Sequence, residues 1–440
     1  MNEFMEQALD SAAASAPVWL QDWQVDGRGR WERSVIPTRK TENWKYTGLQ
    51  SLRQAFAAPA IAELGLSGAG VDVPELGDGY RLVFANGHHR PELSAGELPA
   101  GVSLVRFADA SPAQAKRICS YLGTAVGRDA QLFTALNDAA LAEGVFLEVA
   151  EDARVEQPLQ LVWLTGNQAE AFTVNQRLLV LCGARSQATV IEHFAGTHSE
   201  QRTFTNGVTE LLLESGASLE HYRLHLEQGA ALHIGSVHAR LAEHATINSF
   251  HLALGSELKR IDLVVDHAGP GAHCEVNGVY LPRGNEHIDY HTCIEHRVPH
   301  CTSNEVFRGI IADEATAVFN GRIHIHPDAQ KTRAQLSNKN LLTSNQAQIN
   351  TKPELEIYAD DVQCAHGATV AQLDELALHY LRTRGVSVAD ARTMLSFGFI
   401  NEVIDTVRNQ PLREFLQKLL SERFARDGLA ARRVKGEARP

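Results

Sequence analysis

Cysteine is sparse in this 440-residue chain, and its spacing makes the first exclusion. Cys119, Cys182, Cys274, Cys293, Cys301 and Cys364 are thinly spread, with no C-x-x-C pair among them. A small disulfide-stapled fold, a zinc ribbon and a ferredoxin-type cluster site all need paired or clustered thiols, so all three are excluded. Also missing are a G-x-x-x-x-G-K-[ST] loop and a G-x-G-x-x-G turn after a strand, so the chain has no visible nucleotide site. There is no G-x-S-x-G elbow and no H-E-x-x-H helix. No apolar run approaches the roughly 18 residues of a membrane span. The first twenty residues carry acids where a secretory signal starts basic. With 53 acidic against 41 basic residues, the net charge of −12 gives no global basic field for nucleic acid. The expectation is a soluble cytoplasmic protein with reduced thiols, no membrane contact and no nucleic-acid partner.

What is present is enough apolar sequence, 44%, to bury a sizeable core in two or three domains. The pattern changes twice. Residues 1–143 mix helical and irregular signals, including Ser111-Pro112 as a helix start followed by Ile118, Leu122 and Val126 on one face. Residues 144–370 read as short strands rich in Val, Ile, Leu and Thr. Small residues recur at their turns, at Ala217, Ala230, Ala245, Gly255 and Ala272. Hairpin signals occur at Asn206-Gly207, Asn277-Gly278 and Asn320-Gly321, but most turns lack them, which favours coils advancing in one direction. A solenoid and a sandwich fit this pattern equally well. Residues 371–440 return to a helical period. Leu373, Leu376, Ala377, Tyr380 and Leu381 make one stripe before Gly385. Ser387 caps a second helix, and Pro411 opens a third with Leu412, Phe415, Leu416, Leu419 and Leu420. The basic end, Arg423, Arg426, Arg432, Arg433, Lys435 and Arg439, reads as solvated.

The stretch PELEIYADDVQCAHGATV, from Pro353 to Val370, carries the chemistry. Strand alternation puts Val362, Cys364 and His366 on one face. A thiol and an imidazole there can hold iron or zinc if further ligands come from elsewhere. An ordinary half-buried Cys and a satisfied His fit the spacing as well. Fourteen histidines lie between His221 and His326, but their positions alternate in parity, so no single wall gathers them. His324 and His326 in IHIHPD read as polar-out beside apolar-in Ile323 and Ile325. Asp289, His291, Cys293 and Glu295 share a strand face and form a secondary ligand set.

That stretch, with FNGRIHIHPDAQKTRAQLSNKNLLTSNQAQINTK before it, resembles the C-terminal β-region of the SufB/SufD family of iron–sulfur cluster assembly scaffolds. PTRKTENWKYTGL, from Pro37 to Leu49, and FTALNDAALAEGVFLEVAEDARVEQPLQLV, from Phe133 to Val162, resemble its earlier blocks in the same order. The first of these favours the SufD branch over SufB. The resemblance implies a right-handed parallel β-helix flanked by an N-terminal α/β region and C-terminal helices. It also implies a non-catalytic scaffold working with SufB and the ATPase SufC, which docks on the C-terminal helices. Open terminal coils, at Ala347 to Ile349, Leu355 to Tyr358 and Val362 to His366, would pair with a second subunit. His366, with Cys364 beside it, would hold iron or a nascent cluster transiently at the SufB interface, with no stably bound cofactor. Trp44 and Tyr46 would anchor the N-terminal segment. Isolated, such a chain can pair with itself, so a homodimeric β-helix binding module is one rival reading. A β-helix enzyme acting on carbohydrate is another, although Asp360 and Asp361 are adjacent and point to opposite faces.

Overall fold

The computed structural model describes residues 4, 8, 9, 16–53, 76, 77, 79–127 and 132–434, with side chains described as far as 425. Successive strands from Val145–Val149 onward alternate between two sheets, one of nine strands and one of ten. Each strand lies parallel to the next of its own sheet, residue for residue, as Leu232–Leu241 does on Leu258–His267. The result is a parallel β-solenoid of about eight turns. Thr302 lies beside Arg333 and Arg333 beside Gln363, so one coil takes about 30 residues.

This register stacks like positions into columns. Val190, His221, Ser249, Val276, Glu305, Leu336 and His366 form one column, drawn from every second strand in the chain. Alternate residues face inward, and they merge into one apolar core that runs from Leu82 to Ala359. The small turn residues have a physical reason. Ala217, Ala245 and Ala272 are fully buried at one corner, each preceded by a left-handed residue, Gly216, His244 or Gly271. The Asn-Gly pairs are not turns. All three lie inside strands, at Thr203–Leu213, His273–Leu281 and Thr316–Ile325. At Gly278 a Cβ would come within 2.2 Å of the Phe307 ring in the adjoining coil, so glycine makes room for an aromatic there.

Two helical layers cover the outer faces. Helices α1 (Gln21–Arg33) and α3 (Leu132–Ala139) pack Trp31 and Phe133 on Phe204, Ile234 and Leu258 of the nine-stranded sheet. Between them in sequence, α2 (Pro112–Tyr121) starts on a capping box from Ser111 and Gln114. Its expected face runs one turn too far. The helix stops at Tyr121 because Gly123 takes a positive φ, where a Cβ would strike the Trp23 ring, and Val126 is buried beyond the helix.

At the other end of the chain come α4 (Glu375–Thr383), α5 (Val388–Ile404) and α6 (Gln410–Val434). Ile400, Val403, Leu412, Leu416 and Leu420 pack α5 and α6 on Tyr222, Leu252 and Val279 of the ten-stranded sheet. The α4 stripe follows the sequence expectation only in part. Leu376 is 80% exposed and Tyr380 56%, while Leu378 is the buried residue of that helix. Of the expected stripe, Leu373 packs on the core and Ala377 and Leu381 are half-buried, while Leu376 and Tyr380 stay outside. Arg423 also departs from expectation. It is buried, donating to the Leu281 carbonyl at 2.9 Å and to Gln228 Oε1 at 3.1 Å. The side chains of Arg426, Arg432 and Arg433, and residues Lys435 and Arg439, lie outside the described residues. No helix among the described residues is long and apolar enough to cross a membrane.

Candidate functional site

The solenoid's last coil consists of Gln348–Ile357 and Gln363–Gln372. In Gln363–Gln372, Cys364 and His366 sit one coil past Ala334 and Leu336, in the same inward columns. Ala334 and Leu336 are buried. Cys364 is only half-buried and His366 is exposed, because no further coil among the described residues covers them. The structure therefore brings Val362, Cys364 and His366 to one face, as alternation required, and that face is the open end of the core. Half-burial pushes the Cys364 thiol above its ordinary pKa.

The two terminal strands treat their free edges differently. Gln348 N–H donates to the Ala315 carbonyl, so alternation turns the backbone of Pro353 to the free edge, where its missing N–H costs nothing. Lys352, Glu354 and Glu356 add charge to that strand, and such an edge resists pairing. Gln363–Gln372, QCAHGATVAQ, has no proline and no charged residue. Gln363 N–H donates to Thr332 O at 2.9 Å, which turns the backbone groups of Cys364, His366, Ala368 and Val370 outward. Their unpaired N–H and C=O groups are a template for another strand.

Deeper in the core the inward columns become polar. Glu192, fully buried, accepts from Arg223 Nη1 at 2.8 Å and from Thr209 Oγ1 at 2.8 Å, and meets His221 Nε2 at 3.1 Å. Burial alone would raise its pKa, but Arg223 and His221 hold it below the ordinary value. His225, Glu227 and His233 bring metal-ligating atoms together in the interior. Lys259 Nζ lies 3.6 Å from Glu227 Oε2 and also donates to the Glu227 carbonyl, so an ammonium already supplies the positive charge there. Against burial, His233 and Lys259 pull Glu227 down to about 2.

The Pro37–Leu49 block closes over the nine-stranded sheet. Trp44 is buried with the Arg260 guanidinium 3.9 Å from its ring centre. Arg260 donates to Asn43 O at 2.6 Å and to Asp289 Oδ2 at 2.9 Å, and Thr47 Oγ1 donates to the same Asp289 oxygen at 2.5 Å. Asp289 also pairs with His291 Nε2 at 3.0 Å. Burial opposes ionisation of Asp289, yet His291 and Arg260 keep it well below the usual carboxylate range. Trp44 is thus an anchor, whereas Tyr46 is exposed beside Lys45.

The secondary ligand set therefore divides. Asp289 and His291 belong to this anchor, while Cys293 and Glu295 turn to the next coil. There Glu295 Oε2 meets His324 Nδ1 at 2.9 Å and His326 Nε2 at 2.8 Å. Parity within single strands could not join Glu295 to His324. The 30-residue coil repeat is the signal that does, since the two are register partners.

The described geometry is that of a two-sheet parallel solenoid with helical covers and one open, cysteine- and histidine-bearing end. The family described as SUF system FeS cluster assembly, SufBD core domain, matches residues 164–399, and the SufBD protein N-terminal region matches residues 2–161. The chain belongs to the SufB/SufD family of the SUF system, and its role lies in iron–sulfur cluster assembly. Within that family it is of the SufD type. The iron–sulfur cluster assembly protein SufD of Escherichia coli is 32% identical to it over 89% of this chain and 90% of its own length. A SufBD-family assembly protein of Synechocystis is 30% identical over 88% of this chain and 87% of its own. The chloroplastic protein ABCI7 of Arabidopsis thaliana is 26% identical over 94% and 87%.

Proposed function

We propose that this chain is a non-catalytic scaffold subunit that joins SufB through its open last coil and holds iron or a nascent cluster at that joint. One observation carries the reading: the inward column that is buried at Leu336 emerges exposed at His366, beside an edge strand with no proline and no charge. A partner solenoid that continued the coil would cover both. His366 then supplies a neutral imidazole and Cys364 a thiolate, with SufB completing the ligands, so the cluster is cargo that coordinates and leaves. The exposed stripe of Leu376 and Tyr380 on α4, with Val388 and Met394 on α5, supports docking of the ATPase SufC on the C-terminal helices. Six free cysteines suit a reducing compartment, which we take to be the cytoplasm.

Replacing His366 with Ala removes an exposed ring and should leave the fold and the SufB–SufC assembly intact on gel filtration. Cluster assembly in cells that depend on this chain should fall sharply, with Cys364→Ala equal or weaker. Normal iron–sulfur enzyme activity with His366→Ala contradicts the metal role. Loss of the assembly instead makes the histidine structural.

A further inference from the structure

The nine-stranded sheet carries a second cluster of metal-binding side chains, on its outer face. Glu295 comes from His287–His296, and His324 and His326 come from Thr316–Ile325 and the residue after it. Glu295 Oε2 accepts from His326 Nε2 at 2.8 Å and lies 2.9 Å from His324 Nδ1, and the two ring centres are 4.2 Å apart. We propose that Glu295, His324 and His326 bind one divalent metal ion of the borderline class, such as ferrous iron, cobalt or zinc.

Three features point to a metal rather than an ordinary ion pair. First, both rings converge on a single carboxylate oxygen. Neighbouring ligands about 2.1 Å from a metal stand about 3 Å apart in octahedral geometry, close to the two oxygen-to-nitrogen distances here. Two imidazoles and a carboxylate on one side, with the remaining positions open, are a donor set suited to first-row divalent ions. Second, the carboxylate is oriented. Arg322 Nη2 donates to Glu295 Oε1 at 3.0 Å, leaving Oε2 to the imidazoles, the kind of support that metal ligands receive from their surroundings. Third, the site is neither sealed nor washed out. The Glu295, His324 and His326 side chains are 11%, 19% and 26% exposed, so an ion can enter while the ligands stay fixed. The Tyr358 ring lies edge-on to His324, with centres 5.6 Å apart.

Cys293 stands beside the set, its Sγ 3.3 Å from Glu295 Oε1 and 3.2 Å from Arg322 Nη2. It is the donor placed to add a sulfur ligand to an ion held by the other three. This site is separate from His366. It lies on the outer face, whereas His366 continues an inward column, and it uses no residue of the last coil as a ligand.

The test is titration of the full-length chain carrying Cys364→Ala and His366→Ala with Co²⁺, followed by visible absorbance and competition with Zn²⁺. We expect one saturable equivalent, weakened at least tenfold by Glu295→Gln and by His326→Gln, with unchanged circular dichroism. Cys293→Ser should keep binding but change the thiolate-to-cobalt absorbance. His326 is partly exposed, so its Gln variant should fold even if Glu295→Gln does not. Absence of saturable binding, or a folded His326→Gln chain with unchanged affinity, overturns the assignment. Because the open-end ligands are absent throughout, neither result bears on the SufB joint.

Discussion

The first and last coils of the solenoid are built from the same alternating strands, yet one end is finished and the other is bare. At the first end the parallel run is stopped by reversal. Val102–Arg106 pairs antiparallel with Val145–Val149, and Tyr80–Ala85 folds back on His88–His89. Leu82 and Phe84 are consequently buried although they lie in the terminal coil, and Phe84 stacks on Trp163 with ring centres 4.6 Å apart. At the last end no strand among the described residues reverses. Val370, on the face of the last strand that continues the inward columns, is 49% exposed. A parallel solenoid propagates until something turns it back, so the end without a reversal leaves its inward columns and its edge strand uncovered.

The contrast can be broken most severely at the finished end. Arg177 is fully buried there, 2.6 Å from Glu210 and 2.9 Å from Asp138. Arg177→Ala leaves a buried carboxylate without its cation and should cost about 3–5 kcal/mol in urea unfolding. Asp361→Ala near the bare end removes an exposed partner of Lys331 and should cost no more than about 1 kcal/mol. Equal losses would mean that the two ends are equally sealed.

Next in size is a comparison along the inward face. Leu336→Ala, in the last covered coil, should destabilise by about 2–5 kcal/mol. Val370→Ala, on the same inward face one coil further, should stay within about 0.5 kcal/mol in the isolated chain. A large effect at Val370 would show that the isolated chain already covers its own end, as a homodimer does.

Acid should act on the covered part. Burial depresses His193, His238 and His267 each to about 4. Between about 6.5 and 4 the unfolded chain binds protons that the folded chain refuses, so stability is complete above that window and falls as pH drops through it. Each histidine contributes a slope of up to about 1.4 kcal/mol per pH unit. Glu305 works in the opposite sense. Burial raises it to about 8, so its share of stability declines as pH rises from about 4.5 to 8, and Glu305→Gln should remove that alkaline loss. Unfolding midpoints measured across this range give both limbs. A flat acid limb would contradict the buried, neutral histidines.

The smallest effect on the isolated fold is expected from Ala368→Pro, whose N–H is turned to the free edge. Its melting temperature should hardly move, while the peak of the chain assembled with SufB and SufC should disappear from gel filtration. Survival of that peak would place the joint elsewhere.

Part of this was legible in the chain itself. The alternation of Val362, Cys364 and His366 gave their shared face, and the small residues at Ala217, Ala245 and Ala272 marked real corners. Three features were not legible, each for a physical reason. Asn277-Gly278 has the composition of a turn, but the glycine serves a neighbouring ring, a contact made across coils. The strands at Tyr80–Ala85 and Val102–Arg106 join the sheets from within a stretch read as helical and irregular, because their pairing partners are distant in sequence. The α4 stripe reads as a core face, yet α5 and α6 pack on the sheet and Leu376 and Tyr380 stay exposed.

Backbone hydrogen exchange across Gln363–Gln372 tests the central claim most directly, measured on the isolated chain and again with SufB and SufC added. The account predicts fast exchange at Cys364, His366, Ala368 and Val370 in the isolated chain, slow exchange at the intervening amides bonded to Arg333–Leu342, and strong protection of the fast set on assembly. An assembled complex in which those four amides still exchange freely would contradict it.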